Sequence, residues 1–161
     1  MSTLRYAGSI SIPIEITPRP QDTHGCMGVE NLHCSMLLPR QLKAVKETHG
    51  LSNKEAKVFV KEVIANHPAP PMLELGNESH LAKRLMNNYD EHGELLSAIE
   101  KHTYFIEVLN QEEMQTFLDT LTDALGIERV ERFFHVSIAN DTGKPTDSIG
   151  DINADDMGVS A

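Results

Sequence analysis

Along 4–12 (LRYAGSISI) polar and apolar residues alternate among β-forming side chains, which predicts a strand. The following ITPRPQDTHGCMG is rich in Pro, Gly and polar residues and reads as a loop. NLHCSMLL (31–38) predicts a second strand, stopped by Pro39, and RQLKAVKETHG (40–50) a short helix ended by Gly50. The segment 51–67 carries two patterns. Ser52 with Glu55 matches a helix-opening capping box, whereas Ala56, Val58 and Val60 alternate with Lys57, Phe59 and Lys61 as in a strand. The strand is preferred, because a partner strand is expected at 72–75.

SHLAKRLMNNYDEHG (79–93) predicts a helix with Ser79 as its N-cap and Gly93 ending it. TYFIEVLN (103–110) predicts a strand. QEEMQTFLDTLTDALG (111–126) predicts a helix, with Met114, Phe117, Leu118, Leu121 and Leu125 on one face and Glu112 and Glu113 in the first turn. A last strand is expected over 132–140. The acidic, turn-rich tail, about 145–161, is expected to be partly disordered. The order β, β, α, β, β then α, β, α, β implies one mixed α+β domain over 1–161, built from two similar halves.

Composition narrows the function. No apolar run approaches the ~18 residues of a membrane span, and the first residues lack the pattern of a secretion signal. Two cysteines among 161 residues make no disulfide framework, which points to a reducing cytoplasm. The net charge of −10 disfavours long duplex nucleic acid, whose binding rests on phosphate neutralisation. An anionic ligand must be small, or be met by a local cationic pocket.

Two strand-like runs share one motif: His33-Cys34-Ser35 and His135-Val136-Ser137. With 8 histidines and 20 serines and threonines in 161 residues, chance alone gives about one His-x-Ser/Thr match, so the count is unremarkable. The context is more specific, since of the eight histidines only these two lie inside apolar strand-like runs. Alternation along a strand puts His33 and Ser35 on one face and Cys34 and Met36 on the other, and likewise pairs His135 with Ser137. The plainer alternative is two hydrogen-bonded structural histidines. The chemical alternative is better defined. Displacement at phosphorus is in-line, so it needs a base on one side and an acid on the other. Histidine reaches both protonation states near neutrality, and the neighbouring hydroxyls can donate to phosphate oxygens.

Arg40, just after the first motif, and Lys144, just after the second, are candidate phosphate ligands. Tyr6 is a candidate for stacking a nucleobase. His24, Cys26, His33 and Cys34 lack the paired spacing of a zinc site, and the adjacent His33 and Cys34 would point to opposite faces, so no metal is expected. Cys34 on the apolar face is a poor nucleophile. The histidines at 49, 67, 80, 92 and 102 read as surface residues.

The motifs HCS (33–35) and HVS (135–137) resemble those of the two-histidine (2H) phosphoesterase superfamily, whose mark is two H-x-[S/T] motifs on paired strands. ENLHCSMLLPR is most similar to the phage anti-CBASS branch, which degrades the cyclic oligonucleotide signals of bacterial antiphage defence. Serine stands at both hydroxyl positions, where threonine is common in the superfamily. The resemblance implies a bilobal fold: two pseudo-symmetric, mostly antiparallel sheets flanked by helices around a central cleft. It also implies a metal-independent phosphodiesterase with no cofactor, with His33 and His135 as acid and base and Ser35 and Ser137 on the phosphate. The substrate would be a small cyclic nucleotide, met in the host cytoplasm if the chain is phage-encoded. Alternatives are a 2′,3′-cyclic phosphodiesterase acting on RNA ends and a non-catalytic nucleotide binder.

Overall fold

The computed structural model describes residues 4–14, 27–28, 32–142, 149 and 152. Its elements are β1 (Arg5–Tyr6), β2 (Ile10–Pro13), β3 (Met27–Gly28), β4 (His33–Leu37), α1 (Pro39–His49), α2 (Asn53–Asn66), β5 (Leu75–Tyr89), β6 (Leu95–Val108), α3 (Gln111–Leu125) and β7 (His135–Asn140). The strands form one seven-stranded sheet in the order β1-β2-β4-β7-β6-β5, with β3 also paired to β7. Every pairing is antiparallel. The chain is therefore α+β with an antiparallel sheet. Its early and late parts meet where β4 runs beside β7.

The sheet has two unlike faces. One carries Ile10, Ile12, Cys34, Met36, Val136, Ile138, Tyr104 and Ile106, which share a single core with Leu42 and Val45 of α1, Val60 of α2 and Met114, Leu118, Leu121 and Leu125 of α3. The other carries the motif side chains and a smaller cluster of Ala82, Phe105, Ile149 and Ile152, against which Phe133 packs.

Several elements differ from expectation. The strand expected over 4–12 is two, β1 and β2, which turn back at Gly8 (φ +80°) so that Tyr6 pairs with Ile10, and the expected loop ends in the short strand β3. Residues 53–66 are helical. Glu55 N donates to Ser52 Oγ at 3.1 Å and Ser52 N to Glu55 Oε1 at 3.0 Å, closing the capping box. Val60 is buried, and Phe59, Val63 and Ile64 pack on the core. These are helical neighbours, and Val58, the middle residue of the apparent alternation, is 52% exposed. The expected helix at 79–93 is instead the larger part of β5 and most of the turn that joins it to β6 in a long hairpin. Ser79 pairs with Ile106 and the register continues to Tyr89↔Leu95. Gly93 sits at φ +81° in the connecting turn, where Asp90 Oδ1 accepts from His92 N and Glu94 N at 2.8 and 2.9 Å. Asp and Gly here are hairpin punctuation rather than a helix stop. The strand expected at 72–75 as the partner of 51–67 does not form: 53–66 is helical, and β5 begins only at Leu75 and pairs with β6. Among the described residues, no helix is long and apolar enough to cross a membrane.

α1 and α3 end against each other. His49 Nε2 donates to the Leu125 carbonyl at 2.8 Å. Gly126, at φ +70°, lies so close to that ring that an added Cβ would come within 2.8 Å of it. The positive φ favours glycine there, and a larger side chain would displace the His49 ring.

Candidate active site

β4 and β7 are the inner strands that carry the motifs. Their antiparallel register pairs Cys34 with Val136. One residue to either side, His33 lies across from Ser137 and Ser35 across from His135. All four side chains thus share one face, each imidazole opposite a hydroxyl, and the two histidines are diagonal neighbours. In an antiparallel pair such positions are about 7–8 Å apart at the backbone, within reach of ring side chains. β2 extends the row by placing Ser11 beside Ser35. On the other side, β6 sets Phe105 beside Ser137 and Glu107 beside His135. The helix-side core buries Cys34 and Val136, and this burial fixes which face the motif residues must take.

The two histidines occupy different surroundings. His33 is half-buried. His135 is 4% exposed. Its ring stands parallel to Phe133 (centroids 6.1 Å apart, 11° between planes) and edge-on to Phe105 at 5.6 Å. Nδ1 is 3.3 Å from the Phe133 carbonyl, and the Ile149 backbone also contacts the ring. Burial lowers the His135 pKa to about 4, with the positive charges of Arg132 and His33 acting the same way and the two backbone contacts opposing. His135 is therefore neutral at pH 7. The influence of His33 on it shows that the two imidazoles lie within electrostatic reach. Ile149 is anchored above this face by its backbone N–H, which donates to buried Thr103 Oγ1 at 2.8 Å.

The other sequence candidates are dispersed. Arg40, in the first turn of α1, lines a cleft of about 630 Å³ at the end of the sheet together with Arg129, Arg132 and Phe133. Tyr6 pairs with Ile10 and packs against the helix-side core, so it is placed away from the motif face. Lys144 lies outside the described residues, as do His24 and Cys26. Cys34 is fully buried, and that burial pushes its thiol up to about 12, which leaves no thiolate at neutral pH. Among the described residues, no three His, Cys, Asp or Glu side chains are grouped as a metal would require.

Sequence reasoning passed over three residues. Arg132 and Phe133 stand just before the second motif, and basic-aromatic adjacency to the motif was the available signal. His102, read as a surface residue, is held between Asp141 (Nδ1 to Oδ1, 2.9 Å) and Glu100 (Nε2 to Oε1, 2.8 Å), where β6 meets the end of β7. Its partners come from non-local pairing, so no local pattern announces them. Compared with known proteins, the chain matches no family model, no curated protein and no solved structure.

Proposed function

We propose that the chain is a phosphodiesterase of the two-histidine type, with a bilobal arrangement about the β4–β7 seam, that cleaves small cyclic nucleotides by acid–base catalysis without a metal. One observation carries this reading: the Cys34↔Val136 register, which makes two crossed His–Ser pairs from strands about a hundred residues apart. A phosphate bridging those pairs would meet an imidazole on each side and a hydroxyl beside each. His135, neutral at pH 7, takes the base role by accepting the proton of the attacking hydroxyl or water. The bound phosphate's negative charge would raise its pKa as the proton arrives. His33 then protonates the leaving oxygen. A net charge of −10 favours a compact ligand over long RNA, and phage counter-defence is the setting that the family resemblance implies.

Incubation with a panel of cyclic di- and trinucleotides in excess chelator, read by mass spectrometry, tests the proposal. Linear or mononucleotide products from the wild type and none from His135→Ala are expected. An untouched panel defeats the reading. The burial of His135 favours a second reading, a protein that sequesters its nucleotide, in which case the ligand binds yet is recovered intact. Preferential turnover of a 2′,3′-cyclic-phosphate-ended oligomer would move the activity to RNA ends.

A further inference from the structure

The cleft that Arg40 lines has an unusual charge for this chain. Three of the six arginines in the sequence, Arg40, Arg129 and Arg132, line it, and among its described lining residues the one carboxylate is Glu131. Arg129 is already matched: its Nε meets Asp119 Oδ1 at 2.9 Å and its Nη1 meets Glu131 Oε1 at 2.6 Å. It forms one wall, and Arg40 and Arg132 supply the other two guanidinium groups of the lining. Both take part in further interactions, but a guanidinium has five donors and serves several acceptors at once. Arg40 lies in the first turn of α1, which contains no acidic residue, so the helix dipole favours an anion there as well.

The segment bearing Arg132 is held in place by two glutamines of α3. Gln115 Oε1 accepts from Arg132 N at 3.1 Å, while its Nε2 donates to the Val130 carbonyl at 2.8 Å. Gln111 clamps Phe134 from both sides, at 2.7 Å to its carbonyl and 2.8 Å from its N–H. Together with the bond from Val108 N of β6 to the Phe134 carbonyl at 3.3 Å, these bonds hold 130–134 and keep the cleft wall pre-organised. Phe133, in the middle of this segment, lines the cleft and also stands parallel to the His135 ring. The cleft therefore begins one ring's width beyond the motif face, and Arg132 is close enough for its charge to act on His135.

We infer that this cleft is a second anion subsite, in which Arg40 and Arg132 receive a phosphate ester other than the one being cleaved, with Phe133 between the two sites. This rests on the phosphodiesterase reading and narrows its substrate class to molecules with at least two phosphate groups, since a single-phosphate nucleotide would leave the cleft unused. Bidentate guanidinium–phosphate pairing provides the recognition.

Inorganic pyrophosphate, titrated calorimetrically into the wild type, Arg40→Gln, Arg132→Gln and His135→Ala, separates the possibilities. Arg40 is exposed, so its variant reports even if Arg132→Gln does not fold. The subsite predicts binding that falls at least tenfold in each folded arginine variant and persists in His135→Ala. Equal binding in the wild type and Arg40→Gln overturns it, as does absence of binding in the wild type, or loss in His135→Ala alone. If the arginine-dependent binding holds while no nucleotide in the panel is cleaved, the phosphodiesterase reading fails and the anion site stands. A kinetic arm compares adenosine 2′,3′-cyclic phosphate with its 5′-phosphorylated form: the extra phosphate should raise kcat/KM about tenfold in the wild type, and Arg40→Gln should erase that ratio.

Discussion

Replacing His135 by glutamine isolates the energetic consequence of burying an imidazole in the motif face. Glutamine can still donate an N–H toward the Phe133 carbonyl that lies 3.3 Å from Nδ1, but it does not titrate. In the folded wild type the His135 pKa is lowered to about 4, chiefly by burial, whereas in the unfolded chain the ring titrates near its ordinary value of about 6.5. The unfolded state therefore binds more protons between these limits, and stability is lost as pH falls through that window. Linkage puts the loss at about 2 kcal/mol between pH 7 and pH 5, approaching about 3 kcal/mol at pH 4. Urea denaturation of both proteins at half-unit steps from pH 7.5 to pH 4 supplies the measurement. Carboxylate titrations are common to the two and cancel in the difference, so the wild type should lose its advantage over His135→Gln steadily below pH 6.5. Parallel stability curves would refute the argument, because they would mean that the ring titrates alike in both states. The same titration places the acid limb of kcat/KM near pH 4, since a protonated His135 cannot accept a proton.

His102 should behave in the opposite sense. Its pKa is raised by the hydrogen bond to Asp141, with Glu100 assisting, so its contribution is complete below about pH 6.5 and fades as pH rises through the folded value. The stability gap between wild type and His102→Asn, followed from pH 6 to pH 9, should narrow, and a constant gap would disprove the charge pairing. In nucleotide turnover, His33→Ala should cost 10²- to 10⁴-fold in kcat, with only a small change in melting temperature because the ring is half-buried. A variant retaining full turnover excludes His33 as a proton donor. Ser52→Ala removes one half of the α2 capping box and should lower stability by about 1 kcal/mol in urea titration.

How much could be read from the chain in advance depended on whether the deciding contacts were local. α3 was legible to within a residue because Met114, Phe117, Leu118, Leu121 and Leu125 repeat with the helical period and end at Gly126. β4 and β7 were legible in their cores, since the alternation of His33 with Cys34 and His135 with Val136 sorts two unlike faces of a sheet. β7 starts later than expected, at His135, because the backbone N–H groups of Arg132 and Phe134 donate to Gln115 and Gln111 of α3 rather than to a neighbouring strand. α2 was misread because a chance alternation outweighed a true cap. β5 was misread because Leu81 and Leu85 suit either period, and only pairing with Tyr104 and Glu100 decides between them. In the candidate site, the motif residues announced themselves through their setting. The burial of His135 did not, because Ile149 and Phe105 reach it from elsewhere in the chain.

The Cys34↔Val136 pairing also dictates when the motif face can come into existence. The β5–β6 hairpin and each helix can form from neighbouring segments, whereas β4 and β7 must find each other across about a hundred intervening residues, and closing so long a loop is entropically slow. On the ribosome, the first histidine strand emerges well before its counterpart and must wait for β7 to follow. A truncated product lacking β7 would hold one His–Ser pair without the other.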